Sequence, residues 1–275
     1  MSPPPRRLGK LARPDCTIAY EVTGQGPAIV FAHGLGGNHM SWFQQVAHFA
    51  PSHTCVTFAH RGFAPSTQFP SGPDPKDYAD DLAALVAHLA LGPHVVVAQS
   101  MGGWSAVEYA LRNPAGLRGI VLAATSGTID PKRLPVSFQP ALAAWQAASE
   151  ATLAGYMAAG IHPAAGTRMA AEQPAMHLLY KHIDDQNAAL DKQALRQRLM
   201  GGRSRAPEEL AGAACKVLLI ANDEDAVIPP VVADGIASVV PNARAAHIPD
   251  AAHSGYFERP AMFNRLVGEF IAELA

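Results

Sequence analysis

Ser100 stands between a short aliphatic run and a helix-like stretch, in Ala98-Gln99-Ser100-Met101-Gly102-Gly103. A serine hydroxyl becomes a nucleophile when a tight strand-to-helix turn lifts it clear of the chain and a nearby base takes its proton. Small residues two positions to either side let strand and helix approach. Ala98 and Gly102 hold those positions, so the bare Gly-x-Ser-x-Gly pattern is not literally present, but the departure is one methyl group. The competing reading of the same residues is an unreactive serine capping a helix. A base is offered by His253, in the loop Asp250-Ala251-Ala252-His253-Ser254-Gly255 that follows an aliphatic run and precedes the final helix-like segment. Among 12 histidines it is selected by that loop position and by the chain order serine, acid, histidine. The acid must come from Asn222-Asp223-Glu224-Asp225, directly after Val217 to Ala221. Asp225 is favoured and Asp223 is the alternative, against the bland possibility that each is a solvated loop charge.

Acyl transfer also requires donors for the negative charge that develops on a carbonyl oxygen. His33-Gly34-Leu35-Gly36-Gly37 follows an earlier aliphatic run, and a glycine-rich loop can aim backbone N–H groups at such a charge. The expected donors are the N–H groups of Leu35 and Met101; alone this loop reads better as a connecting turn, and its place in chain order before Ser100 is what raises its value.

These residues need a scaffold that brings loop ends together. Aliphatic runs recur at Ala28 to Ala32, Cys55 to Ala59, His94 to Ala98, Gly119 to Ala124, Lys216 to Ala221 and Ala243 to Ile248. Continuous rather than alternating hydrophobicity at strand length is the pattern of strands buried on both faces. Helix-like stretches lie between them: Tyr78 to Leu91 with Leu82, Leu85, Val86 and Leu89 on one face, Met101 to Arg112, and Pro260 to Leu274. Strands alternating with helices predict an α/β fold built on a mostly parallel sheet covered on both sides. Thr17 to Val22 alternates and ends at Gly24-Gln25-Gly26-Pro27, as a leading antiparallel strand would. From about 130 to 205 no strand pattern occurs. Ala141 to Met157 and Leu190 to Met200 favour helix, and Pro131, Pro135, Pro140 and Gly201-Gly202 mark breaks at the ends of this insertion. The expected organisation is therefore a core of 1–129 and 206–275 with a helical insertion at 130–205.

The chain has 275 residues, 49% hydrophobic and 16% charged, which is ample for a core and unlike disorder. A formal net charge of -2 gives no footprint for nucleic acid. No apolar run approaches the roughly 18 residues of a membrane helix. Cys16, Cys55 and Cys215 are odd in number and far apart, which fits a reduced, cytoplasmic protein rather than a disulfide framework. Met1 to Arg7 is basic but no apolar stretch follows, so it reads as a loose leader and not a secretory signal.

Taken together, the loop at His33-Gly34, the turn at Ser100, the acid at Asp225 with Pro229 four residues on, and the His253 to Pro260 segment with Glu258 resemble the α/β-hydrolase superfamily over nearly the whole chain. A further family landmark appears as Ala59-His60-Arg61-Gly62-Phe63-Ala64-Pro65-Ser66, with alanine where the family usually has Asp and a second Gly. The resemblance implies an eight-stranded sheet, a helical cap at 130–205, and a Ser100, Asp225 and His253 triad that cleaves a small-molecule substrate through an acyl-enzyme, with no metal and no organic cofactor. Gly34 and Gln99 beside the serine, and Trp145 and Arg168 in the cap, are expected to touch substrate. Apolar cap residues such as Tyr156, Met157, Met169, Met176 and Leu178 suit the acyl group of an ester or lactone. Arg168, His162 and His177 would suit a carboxylate or enolate, as in hydrolysis of a C–C bond in a vinylogous diketone. A ligand receptor without turnover and a cofactor-free halide peroxidase are the outlying alternatives on this fold.

Overall fold

The computed structural model describes residues 4–69 and 71–274. Eight strands form one sheet: β1 (Arg6–Ala12), β2 (Thr17–Thr23), β3 (Ala28–Ala32), β4 (Thr54–Phe58), β5 (His94–Gln99), β6 (Leu117–Ala123), β7 (Lys216–Asn222) and β8 (Ala243–Ile248). Their spatial order is β1-β2-β4-β3-β5-β6-β7-β8, parallel from β4 to β8, with β2 antiparallel to both its neighbours. The helices are α1 (Phe43–Phe49), α2 (Tyr78–His88), α3 (Gly102–Leu111), α4 (Gln139–Ala158), α5 (Gly166–Glu172), α6 (Pro174–Asp185), α7 (Lys192–Gly201), α8 (Val231–Ala237), α9 (Gly255–Glu258) and α10 (Pro260–Ala272).

Pleating explains the continuous aliphatic runs. Val30, Val56, Val96, Ile120 and Leu219 point to one face, where they pack with Leu82 and Leu85 of α2, Tyr109 of α3 and Ile236 of α8. Ile29, Phe31, Val97, Val121 and Leu218 point to the other, against Phe49 of α1 and Phe263, Val267 and Phe270 of α10. A strand sandwiched in this way has no solvent side on which to place polar residues. The helices α2 and α10 stop short of the lengths their apolar spacing suggests. Past α2 the chain turns through Ala90, at φ +49°, into Gly92-Pro93, which cannot continue a helix.

The N-terminal leader expectation is corrected for the described residues. Arg6–Ala12 is the edge strand β1, and Arg6 forms an ion pair with Glu21 of β2 at 2.6 Å. Its exposed, charged face hid it from a reading based on apolar runs. Met1 to Pro3 lie outside the described residues.

Between β6 and β7 the chain leaves the sheet. Ile129 and Arg205 pair as an isolated bridge, and Asp130 N–H donates to the Arg205 carbonyl, so the two ends of the intervening segment are tied together. The helices α4, α5, α6 and α7 lie within it. No described helix is long and apolar enough to cross a membrane.

Candidate active site

From β3 the chain moves to β4 on one side and then crosses to β5 on the other. The carboxyl ends of β3 and β5 therefore flank a topological switch point, where crevices open in parallel sheets. Ala32 and Ala98 are partners across those strands, so the loops starting at His33 and at Ser100 leave the sheet at the same level. Ser100 has φ +50°, a left-handed conformation that costs a residue with a Cβ about 1–3 kcal/mol. Two contacts hold it there: Ser100 N–H donates to the Ala123 carbonyl at 3.0 Å, and the Ser100 carbonyl accepts from Gly103 N–H at 2.9 Å. Close approach of α3 explains the small residues. A Cβ on Gly102 would overlap the Ala32 carbonyl, whereas the Ala98 methyl is accommodated fully buried in the core.

His253 follows β8 and Asp225 follows β7, and both are buried. Asp225 Oδ2 and His253 Nδ1 are 2.8 Å apart, while Asp225 Oδ1 accepts the backbone N–H groups of Val227 at 2.7 Å and Ile228 at 2.9 Å. Asp223 is turned outward and meets His247 at 2.6 Å on the exposed side of β8. The His253 carbonyl accepts from two amide side chains, Gln99 Nε2 and Asn222 Nδ2, each at 3.1 Å. Trp145 of α4 donates its indole N–H to the Asp225 carbonyl at 2.7 Å. Ser100 and His253 line one cavity of about 600 Å3, without a direct hydrogen bond between their side chains among the described residues. Such contacts commonly tighten only when substrate is bound.

Leu35 and Met101 line the same cavity, and neither backbone N–H has a partner among the described residues. The Gly34 carbonyl is held on the other side, by Gly37 N–H at 3.0 Å and by His33 Nδ1 at 2.8 Å. Across a trans peptide the C=O and N–H point in opposite senses, so fixing this carbonyl directs the Leu35 N–H away from it. His33 is suited to that task. Its Nε2 accepts from His60 N–H at 3.0 Å, leaving Nδ1 to donate, and complete burial pushes its pKa down to about 3, so the ring is neutral.

The residues expected to touch substrate are distributed differently. Gln99 and Trp145 line the cavity, but each spends its donor on the His253 or Asp225 backbone. Gly34 does not reach the cavity wall; it is small because a Cβ there would overlap Gln99 Oε1. Arg168 is also outside the cavity, drawn to the surface by Glu224 at 2.8 Å, Asp250 at 3.0 Å and Glu172 at 3.5 Å. His162 lines the cavity, whereas His177 stands behind it and accepts from His162 N–H. Of the apolar cap residues named from sequence, Met157 and Leu178 are exposed and Met169 is core; Leu142, Pro163, Leu199 and Met200 line the cavity in their place. Helical composition alone does not reveal which face of a helix in this segment looks inward. Asn222, which steadies His253, was also missed, hidden as the last residue of a strand.

The landmark at 59–66 is structural. Arg61 makes a bidentate contact with buried Asp81, at 2.6 and 2.8 Å, and also reaches Asp77 and Asp15. Ser66 bridges the Ala59 carbonyl and Ala19 N–H.

A family model described as alpha/beta hydrolase fold matches residues 27–260. The chain belongs to the α/β-hydrolase family. It is 29% identical over 277 residues to a putative non-heme bromoperoxidase, BpoC, of Mycobacterium tuberculosis, covering 94% of this chain and 98% of that one. It is 30% identical over 122 residues to 3-oxoadipate enol-lactonase 2 of Acinetobacter baylyi, covering 43% and 45%. Among solved structures, a thermophilic esterase from Thermogutta terrifontis superposes with a TM-score of 0.75 at 23% identity, covering 98% of this chain and 99% of that one, a likeness of fold.

Proposed function

We propose that the protein is a serine hydrolase that cleaves a carboxylic ester or lactone through an acyl-enzyme on Ser100. The observation that carries this reading is the buried Asp225–His253 contact at 2.8 Å, with His253 opening onto the same cavity as a serine strained to φ +50°. In this reading His253 Nε2 takes the Ser100 proton as Oγ attacks the carbonyl carbon, and Asp225 holds Nδ1–H and stabilises the imidazolium. The N–H groups of Leu35 and Met101 receive the oxyanion, each contributing about 3–4 kcal/mol in the transition state. Collapse of the tetrahedral intermediate expels the alcohol, which takes the proton from His253. Water, deprotonated by His253, then attacks the acyl-enzyme, releasing the acid and restoring Ser100. These steps call for no metal or organic cofactor. Relatives named as enol-lactonase and esterase support the choice of an oxygen ester over other acyl substrates.

The segment 130–205 acts in this reading as a cap that closes the cavity and sets acyl-group preference. Three buried cysteines without disulfides fit a reducing, cytoplasmic setting. The test is Ser100→Ala assayed on 4-nitrophenyl esters and on lactones of graded ring size. Loss of at least about 10^4-fold in kcat/KM with unchanged thermal unfolding is expected; ester turnover equal to that of the unmodified protein would refute the assignment. No turnover of esters, lactones or a dienol diketone by the unmodified protein, with tight ligand binding, would instead indicate a receptor.

A further inference from the structure

The cap side of the cavity carries more positive charge than its surroundings neutralise. Lys132, Lys192, Arg196 and Arg203 line it against two carboxylates, Asp130 and Asp184, an excess of two cations in a chain of net charge -2. Asp184 is engaged by Lys192 at 2.6 Å and His162 at 3.4 Å, and Asp130 Oδ1 accepts the backbone N–H of Lys132. Arg203, just past the end of α7, has no carboxylate within ion-pair distance and no side-chain hydrogen bond among the described residues, and its Nε is buried. Burial works against its charge, and Asp130, beyond ion-pair distance, offsets this only in part.

A second observation points the same way. The Arg203 guanidinium lies over the ring of Trp104, with Cζ 5.3 Å from the centroid, and Trp104 Nε1 is also buried without a partner among the described residues. Trp104 stands one helical turn beyond Ser100 on α3 and lines the same cavity. Buried N–H donors are nearly always paired. These two are closed off behind the stack, whereas the terminal guanidinium nitrogens of Arg203, without a hydrogen-bond partner among the described residues, stay open to an anionic acceptor in the cavity. A planar guanidinium fork matches a carboxylate, and stacking on an aromatic face limits the ways it can turn.

We propose that Arg203, stacked on Trp104, binds a carboxylate of the substrate, so that the preferred ester or lactone carries an anionic group remote from the scissile carbonyl. Arg196 and Lys132, which have no carboxylate within ion-pair distance among the described residues, add attraction at longer range. The substrate class rests on the reading of Ser100 as nucleophile; the anion site does not.

The test compares kcat/KM for mono-4-nitrophenyl glutarate and for 4-nitrophenyl hexanoate, which have similar acyl lengths and differ in terminal charge. The unmodified protein should prefer the glutarate. Arg203→Gln should lower the glutarate-to-hexanoate ratio at least tenfold, mainly through KM, and Arg203→Lys should retain part of it. Trp104→Phe, which leaves a smaller ring under the guanidinium and weakens the stack, should lower the ratio about threefold and serves if Arg203→Gln does not fold. A ratio within twofold of the original in Arg203→Gln, or a preference of the unmodified protein for hexanoate, overturns the proposal. Calorimetric titration with glutarate separates this from the hydrolase reading. Binding that weakens at least tenfold in Arg203→Gln and persists in Ser100→Ala supports the anion site even if no ester is turned over. Equal binding in the Arg203 variant and the unmodified protein, or none in either, overturns it.

Discussion

Asp225→Asn removes one negative charge at a site where the rest of the geometry can be retained. In the folded protein Oδ1 accepts the N–H groups of Val227 and Ile228, and an asparagine oxygen can keep both, so the loop after β7 stays in place. Oδ2, 2.8 Å from His253 Nδ1, becomes an NH2 group, which donates. His253 Nδ1 must then accept, which moves the ring proton to Nε2 and leaves no base facing Ser100. The lost attraction can be sized separately. Two unit charges about 4 Å apart at an effective dielectric constant of about 20 attract by about 4 kcal/mol, equivalent to about three decades in rate. With the wrong tautomer added, kcat should fall by about 10^3–10^4 at neutral pH. The assay is 4-nitrophenyl ester hydrolysis by Asp225→Asn beside Asp223→Asn, with thermal unfolding of both. Asp223 contacts exposed His247, so its variant should keep kcat within about twofold. A fall of less than tenfold in folded Asp225→Asn, or an equal fall in Asp223→Asn, would refute the reasoning.

Two predictions concern stability. Glu258 is buried with Oε2 accepting Ala252 N–H and Oε1 unpartnered, and burial pushes its carboxyl up to about 8. An unfolded glutamate titrates near about 4.3, so between that pH and about 8 the unfolded chain has given up a proton that the folded one keeps. Stability therefore falls as pH rises through this window, by up to about 5 kcal/mol if the shift is fully expressed. Glu258→Gln keeps an acceptor and loses the titration, so its melting temperature should gain on the unmodified protein between pH 5 and pH 8.5; a constant difference would sink this account. Arg61→Met strands buried Asp81 with Arg13 as its remaining partner, at 2.9 Å. A loss of about 3 kcal/mol in urea unfolding is expected, at the low end for a broken buried pair because Arg13 remains, and a change below about 1 kcal/mol would show that the network contributes little.

The parallel core was legible because strands buried on both faces have no choice but to be aliphatic throughout, as Val95 to Ala98 and Leu218 to Ile220 illustrate. Ser100 was equally legible, since its strained turn demands small neighbours on a local stretch of chain. Edge strand β1 was not, because one exposed face and several charges erase that signature. Composition and periodicity are local properties, and whatever a few adjacent residues must satisfy is written in them. Only the tertiary structure separated Asp225 from Asp223, two residues apart and facing opposite ways across the end of β7. The same holds for the cavity's anion chemistry. Arg168 and Arg203 are both arginines of one helical insertion, and it is packing that gives Arg168 three surface carboxylates and leaves Arg203 beside Trp104 with none in ion-pair distance among the described residues. Which charge is neutralised depends on what lies across the fold, and contacts between residues a hundred positions apart leave no mark on either neighbourhood of the sequence.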